Sequence, residues 1–259
     1  MTQYQRRALV VSPTSAAQSA AHDLRHNYEW VPINQADMIV ALGGDGFMLQ
    51  ALHSQLESAR DPLPVFGMNL GTVGFLMNEW RLEGLDGRLE RAKAFKVTPL
   101  RMIAETISGE RHSVPAINEV SLLRETRETA KIEVTVNDRV VIPELVCDGI
   151  LAATPAGSTA YNFSAQGPIL PLGCGLTALT PLSAFRPRRW RGAILPDKAR
   201  ISLRVLEPAK RPVSAVADQR EVRDVARVDI AMDRSRELTL LFDPEHALDD
   251  RITMEQFIS

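Results

Sequence analysis

Gly43-Gly44-Asp45-Gly46 encloses a single carboxylate in three glycines. Glycine admits left-handed backbone and lets a ligand or a second backbone come close. The loop precedes an amphipathic segment, residues 47–59, whose helical first turn would present free N–H groups to an anion. No Gly-Lys-Ser/Thr follows it, so the Walker phosphate loop is excluded. A carboxylate repels phosphate placed directly against it. It makes sense as a base for a hydroxyl, or as a partner to a magnesium ion that bridges phosphates. The plainer alternative is a tight strand-to-helix turn with Asp45 as a cap.

Three further segments put polar groups at turns. Gly67, Gly71 and Gly74 follow a strand-like run but lack the G-x-G-x-x-G spacing, and they read as a structural turn. Asn118-Glu119 precedes Val120-Ser121-Leu122-Leu123; an amide beside an acid could hydrogen-bond ribose hydroxyls or an adenine edge, or form a polar turn. The densest segment begins at Asp148-Gly149 and runs through an apolar strand into Thr154-Pro155-Ala156-Gly157-Ser158-Thr159-Ala160-Tyr161-Asn162-Phe163-Ser164. Gly157 and the hydroxyls of Ser158 and Thr159 could donate to a phosphate or a carboxamide, and Tyr161 could stack on a base. The same hydroxyls could equally cap a helix.

Other features read as structure. His22 and His26 are four apart but have no acid or third ligand at metal-site spacing, so they mark a surface helix face. Cys147 has no nearby histidine and reads as a buried thiol. The basic run 186–191 reads as a solvated loop.

These loops need elements to hold them. Residues 8–11, 37–42 and 63–68 are strand-like and apolar, and residues 15–28 and 47–59 have helical periodicity. That alternation implies a parallel α/β domain over residues 1–98. The run 8–11 is too short for a signal-peptide core and reads as a first strand. Residues 99–241 show short alternating strands and imply a mainly β domain. In it, residues 131–141 form a hairpin around Asn137-Asp138. The stretch of about 242–259 is ambiguous by pattern, with packing back on the α/β domain as the expectation.

Composition narrows the classes. Hydrophobic residues at 45% and charged residues at 24% give a globular chain with ample core. A net charge of −2 carries no basic excess for a nucleic-acid partner. No apolar run approaches the ~18 residues of a membrane span. Two cysteines, Cys147 and Cys174, rule against a disulfide framework and fit a reducing cytoplasm.

In this order along the chain, Gly43-Gly44-Asp45-Gly46, Asn118-Glu119, Asp148-Gly149 and residues 154–161 resemble the NAD kinase family. The first motif is shared with lipid kinases and phosphofructokinases; the last is specific to NAD kinases. The resemblance implies a Rossmann-like N-terminal α/β domain, a C-terminal β-sandwich-like domain, and phosphorylation of the 2′-hydroxyl of the adenosine ribose of NAD. The donor would be ATP, another nucleoside triphosphate or polyphosphate, with a divalent cation, Mg2+, as cofactor and no metal ligands specified. It implies Asp45 as general base and Gly43, Gly44 and Gly46 as the donor-phosphate loop, Gly46 also lying against NAD. Asn118 and Glu119 would hold the adenosine part. Asp148 and Ala156 would lie near the nicotinamide half, often supplied by a neighbouring subunit of a homodimer or homotetramer. Thr159, Ala160, Tyr161, Asn162, Phe163 and Ser164 would line the dinucleotide pocket. Two positions depart from the family pattern: Phe47 stands where a threonine is usual, and Asp218-Gln219 where an Asp-His pair is usual. Asp218 and Gln219 are possible additional contacts. The competing readings are a non-catalytic NAD(P)-binding sensor and a lipid kinase sharing the first loop, though the chain lacks a basic amphipathic helix for membrane docking.

Overall fold

The structure is a computed structural model that describes residues 4–71, 74–188 and 190–244. The chain divides into two compact units, Met1–Val97 with Arg236–Ser259, and Thr98–Ser235.

The first unit runs β1 (Arg7–Val11), α1 (Ser15–Asn27), β2 (Met38–Gly43), α2 (Asp45–Glu57), β3 (Val65–Asn69), β4 (Asn78–Glu79), α3 (Leu85–Arg91) and β5 (Lys93–Val97). β1, β2 and β3 are parallel neighbours, with Val11 beside Leu42 and Gly43 beside Asn69. β2 is buried along its whole length, as an interior parallel strand covered on both faces should be. Ala17, Ala20, Ala21 and Leu24 form the buried stripe of α1, and Thr14 Oγ1 caps it by accepting from the Ala17 N–H. The packing of this stripe on Met38, Val40, Leu42, Phe66 and Met68 fixes the sheet end that carries the glycine loop.

A final strand, Leu238–Phe242, also belongs to this unit. Its alternation grouped it by sequence with the β region; instead it pairs antiparallel with β5, and Leu240 lies beside Val65 in parallel. Buried polar contacts explain the placement. Asn78 Nδ2 donates to Gly67 O at 2.9 Å and to Leu241 O at 3.0 Å, and Asn78 Oδ1 accepts from the Asp243 N–H at 2.8 Å. Arg88 meets the Asp243 carboxylate at 2.6 Å, both side chains being buried, and its guanidinium lies 5.2 Å from the centre of the Phe66 ring. Residues 245–259, most of the stretch expected to pack back on the α/β domain, lie outside the described residues.

The second unit runs β6 (Leu100–Thr106), β7 (Arg111–Ala116), β8 (Glu119–Arg124), β9 (Ala130–Val136), β10 (Arg139–Cys147), β11 (Gly149–Ala153), a 3-10 turn (Ala156–Thr159) and α4 (Tyr161–Ser164). It continues with β12 (Leu176–Leu182), β13 (Ala193–Pro196), β14 (Ile201–Val205), β15 (Val213–Ala217), β16 (Arg220–Val222) and β17 (Val225–Met232). The strand Leu238–Phe242 is β18. Two antiparallel sheets form, ordered β10-β9-β14-β17-β6-β7 and β13-β12-β11-β8-β15-β16. They share one core: Met102, Ile132, Val134, Leu203 and Val228 come from the first, and Val120, Leu122, Ile150, Ala152 and Ala215 from the second. This is a β-sandwich. The β9–β10 hairpin turns on Asn137 (φ 49°) and Asp138 (φ 65°), two consecutive left-handed residues of a I′ turn, as the sequence led one to expect. Among the described residues no helix is long and apolar enough to cross a membrane.

Candidate active site

Asp45 and its glycines belong to the α/β unit, and the other expected site residues to the β unit. Gly43 ends β2, Gly44 is the N-cap of α2, and Asp45 is the first helical residue. The helix starts two residues before its amphipathic pattern, because glycines carry no hydrophobic signal. Gly44 offers no side-chain cap, and the first hydrogen bond into the helix runs from the Met48 N–H to Gly44 O. The N–H groups of the first turn therefore face outward from a positive helix end. A Cβ on Gly46 would meet nothing within 4 Å, so the loop is open there. A Cβ on Gly43 would sit 2.8 Å from the Phe47 ring, so the departure at Phe47 places an aromatic directly over this glycine.

The Asp45 carboxylate is fixed from the second glycine-rich loop. Oδ2 accepts from the Phe75 N–H at 2.7 Å, and Oδ1 from the Leu76 N–H at 3.1 Å. A Cβ on Gly74 would lie 2.3 Å from Asp45 Oδ1, so only glycine lets that loop approach. Gly74 read as a plain turn in the sequence; its service to Asp45 has no local signal, since the two are far apart in the chain.

In the β unit, Glu119 starts β8, and Asn118, the residue just before the strand, is half-buried. Gly157 packs straight onto this segment: a Cβ there would lie 2.1 Å from Asn118 O. Thr154 ties the two together, donating from N to Asn118 O at 2.9 Å and from Oγ1 to Ile117 O at 2.7 Å, while Oγ1 accepts from the Gly157 N–H at 3.0 Å. Asp148 stands between β10 and β11, where the chain crosses from one sheet to the other, and takes Arg124 Nε at 2.6 Å on Oδ1. Gly149 follows it because a Cβ would lie 2.0 Å from Leu122 O.

The segment 156–164 divides into lining and support. Tyr161 and Phe163 are large yet exposed, at 38% and 41%, and Ser164 is exposed beside them. Ala156 and Thr159 are buried, and Ala160 is half-buried. Asn162, expected in the lining, is a support instead. It is wholly buried, its Nδ2 donates to Ser158 O and Pro168 O, and its Oδ1 accepts from Thr180 Oγ1 at 2.7 Å. Ser158 is buried as well, donating to Pro155 O and accepting from the Leu170 N–H, so its hydroxyl ties the turn to the Leu170 backbone and caps neither helix. Gln219 is exposed in the β15–β16 turn. His22 and His26 are exposed on α1. Burial pushes the Cys147 thiol up to about 12, which makes it inert at neutral pH.

The electrostatics centre on Glu119. Its Oε2 is buried without a hydrogen-bond partner among the described residues. Burial first, then the nearby Asp218 carboxylate, raises its pKa from 4.5 to about 8. Burial, then Glu119 and Asp148, raise the Tyr161 hydroxyl, which places Tyr161 within electrostatic reach of both carboxylates. At neutral pH the folded chain thus holds a Glu119 proton that the unfolded chain has released. The stability this gives is full below about 4.5 and drains away as pH rises toward 8. Glu119→Gln, neutral throughout, removes that slope. In melting experiments between about pH 5 and pH 9, wild type is expected to lose more stability than the variant; parallel curves would mean that the carboxyl is ionised in the fold.

Two family models match the chain in order, the ATP-NAD kinase N-terminal domain over residues 2–93 and the ATP-NAD kinase C-terminal domain over residues 117–249. The chain is 72% identical over 253 residues to the NAD kinase of Rhizorhabdus wittichii, spanning 98% of each. It is 63% identical over 254 residues to the NAD kinase of Zymomonas mobilis, again spanning 98% of each. Two solved structures share the fold. Yeast NADH kinase complexed with NADH has a TM-score of 0.82 at 19% identity, over 98% of this chain and 88% of that one. An NAD kinase from Archaeoglobus fulgidus in complex with ATP has a TM-score of 0.75 at 24% identity, over 98% of this chain and 100% of that one.

Proposed function

The chain belongs to the NAD kinase family, and on that premise we propose that it transfers a phosphoryl group from ATP to the 2′-hydroxyl of the adenosine ribose of NAD, giving NADP. The observation that carries the catalytic part of this reading is the seat of Asp45. A carboxylate at the first residue of α2 is aimed by two backbone N–H groups, and the open glycine Gly46 lies beside it.

The transfer is in line, so positioning and charge neutralisation do most of the work. Each Asp45 oxygen accepts one N–H and keeps a lone pair, so the carboxylate is oriented yet still able to take the 2′-hydroxyl proton as the new O–P bond forms and the bond to the leaving ADP breaks. The outward N–H groups at Gly44, Asp45 and Gly46 suit the donor phosphates. A divalent cation such as magnesium would supply charge neutralisation on the donor phosphates.

Asn118 and Glu119 hold the adenosine part of NAD. At neutral pH the protonated Glu119 carboxyl is a donor, suited to a ring nitrogen or a ribose oxygen. Asp148 and Ala156 serve the nicotinamide half, and the exposed Tyr161 and Phe163, with Thr159, Ala160 and Ser164, line the dinucleotide site. Exposed aromatics beside a polar site also suit a homodimer or homotetramer. Two free cysteines fit a cytoplasmic enzyme.

Incubation of purified protein with NAD, magnesium and either ATP or polyphosphate tests this directly. NADP formation with ATP is expected. Binding of NAD without product from either donor would leave the sensor reading and overturn the kinase.

A further inference from the structure

Asp218 occupies the β15–β16 turn with φ 51°, a left-handed backbone that Asp and Asn tolerate better than most side chains. Its carboxylate accepts from three consecutive backbone N–H groups: Ile117 to Oδ2 at 2.7 Å, and Asn118 and Glu119 to Oδ1 at 2.9 and 3.2 Å. Its own N–H donates to Glu119 O at 3.1 Å. From the other side Thr154 holds the carbonyls of Ile117 and Asn118. The backbone of residues 117–119 is thus gripped at both its donors and its acceptors, and the anion in this N–H cradle comes from the protein.

We propose that Asp218 is a positioning residue for the dinucleotide: through the backbone of Asn118 and Glu119 it sets where those two side chains meet NAD, without touching NAD itself. The proposal rests on the reading of Asn118 and Glu119 as NAD-binding residues. It also accounts for Gln219 in place of the usual histidine, because the neighbouring carboxylate does the holding while Gln219 points to solvent.

The charges facing Asp218 give a second readout. Its carboxylate raises the Glu119 pKa, and Glu119 in turn raises that of the Tyr161 hydroxyl. Neutralising Asp218 therefore lets Glu119 ionise at lower pH.

Asp218→Asn keeps the left-handed turn but replaces one acceptor oxygen with an NH2 that faces a backbone N–H. The KM for NAD is expected to rise about 10-fold or more, the loss of one charge-assisted hydrogen bond. The kcat and the KM for ATP should stay near wild type, and the alkaline limb of kcat/KM for NAD should move to lower pH. Asp218→Glu, which keeps the charge on a longer arm, should raise the KM for NAD with no acid shift of that limb. Asn118→Ala, measured alongside, checks the underlying reading. If Asn118→Ala raises the KM for NAD and neither Asp218 variant does, Asp218 is not a positioning residue. If both Asp218 variants lower the melting point, kcat and the affinities for both substrates together, it is a general structural residue and the proposal falls. If Asn118→Ala leaves the KM for NAD unchanged, the site reading fails first, and the proposal with it.

Discussion

Asp45→Asn is expected to lower kcat by roughly 10²- to 10⁴-fold while the KM for NAD stays close to wild type, the signature of a lost general base. The amide is isosteric but cannot take a proton at neutral pH. It also carries one acceptor where the loop presents two donors, the N–H groups of Phe75 and Leu76. One of them must then face the NH2 group, so some loosening accompanies the loss of the base. A rival account makes Asp45 only a latch that ties residues 74–76 to the start of α2. The two differ in what they predict for stability. A latch would show a large drop in melting temperature and a modest drop in kcat; a base shows the reverse. Gly74 argues that the close approach matters, because a Cβ at 2.3 Å from Asp45 Oδ1 leaves no slack in where the carboxylate sits. A kcat within about threefold of wild type would remove Asp45 from the chemistry.

The parts of this design that could be read in the sequence are those whose cause is local. Gly43-Gly44-Asp45-Gly46 sits between a buried strand and a helix because glycines end one pattern before the next begins. Asn137-Asp138 makes a hairpin because both residues tolerate left-handed backbone. What escaped has its cause far along the chain. The placement of β18 beside β3 and β5 depends on Asn78, Arg88 and Asp243, and nothing in the alternation of Leu238–Phe242 says which sheet it will join. β4, α3 and β5 are short, and α3 spans only two turns with a glycine inside, too little for periodicity to show. Asn162 and Tyr161 are neighbours in one motif, yet one is wholly buried and the other exposed. The difference arises where Gly167 and Thr180 pack against Asn162, out of sight of the motif. Asp218 was visible as a polar residue, but its three N–H partners lie about a hundred positions away.

Gly157→Ala should damage both the fold and NAD binding, because the added methyl has nowhere to go. It would lie 2.1 Å from Asn118 O and 2.4 Å from Asn118 C and Cα, all backbone atoms with no flexible end to swing aside. The 3-10 turn Ala156–Thr159 would have to lift away from β8, and with it the contacts of Thr154 Oγ1 to Ile117 O and to the Gly157 N–H. Overpacking of this kind costs about 1–3 kcal/mol. The same movement shifts Asn118 and Glu119 against the segment that carries Tyr161, so the KM for NAD should rise about 10-fold or more. The same chemical change elsewhere has the opposite sign. Gly87 lies inside α3, where a Cβ would come no closer than 4.0 Å to Arg91 Nη1, and alanine there favours the helix by about 0.5–1 kcal/mol. Melting should therefore rank Gly87→Ala at or above wild type and Gly157→Ala well below it, with the KM for NAD raised only in the latter. Equal melting points and equal KM values would mean that the turn yields without cost and that its contact with Asn118 does not position the substrate.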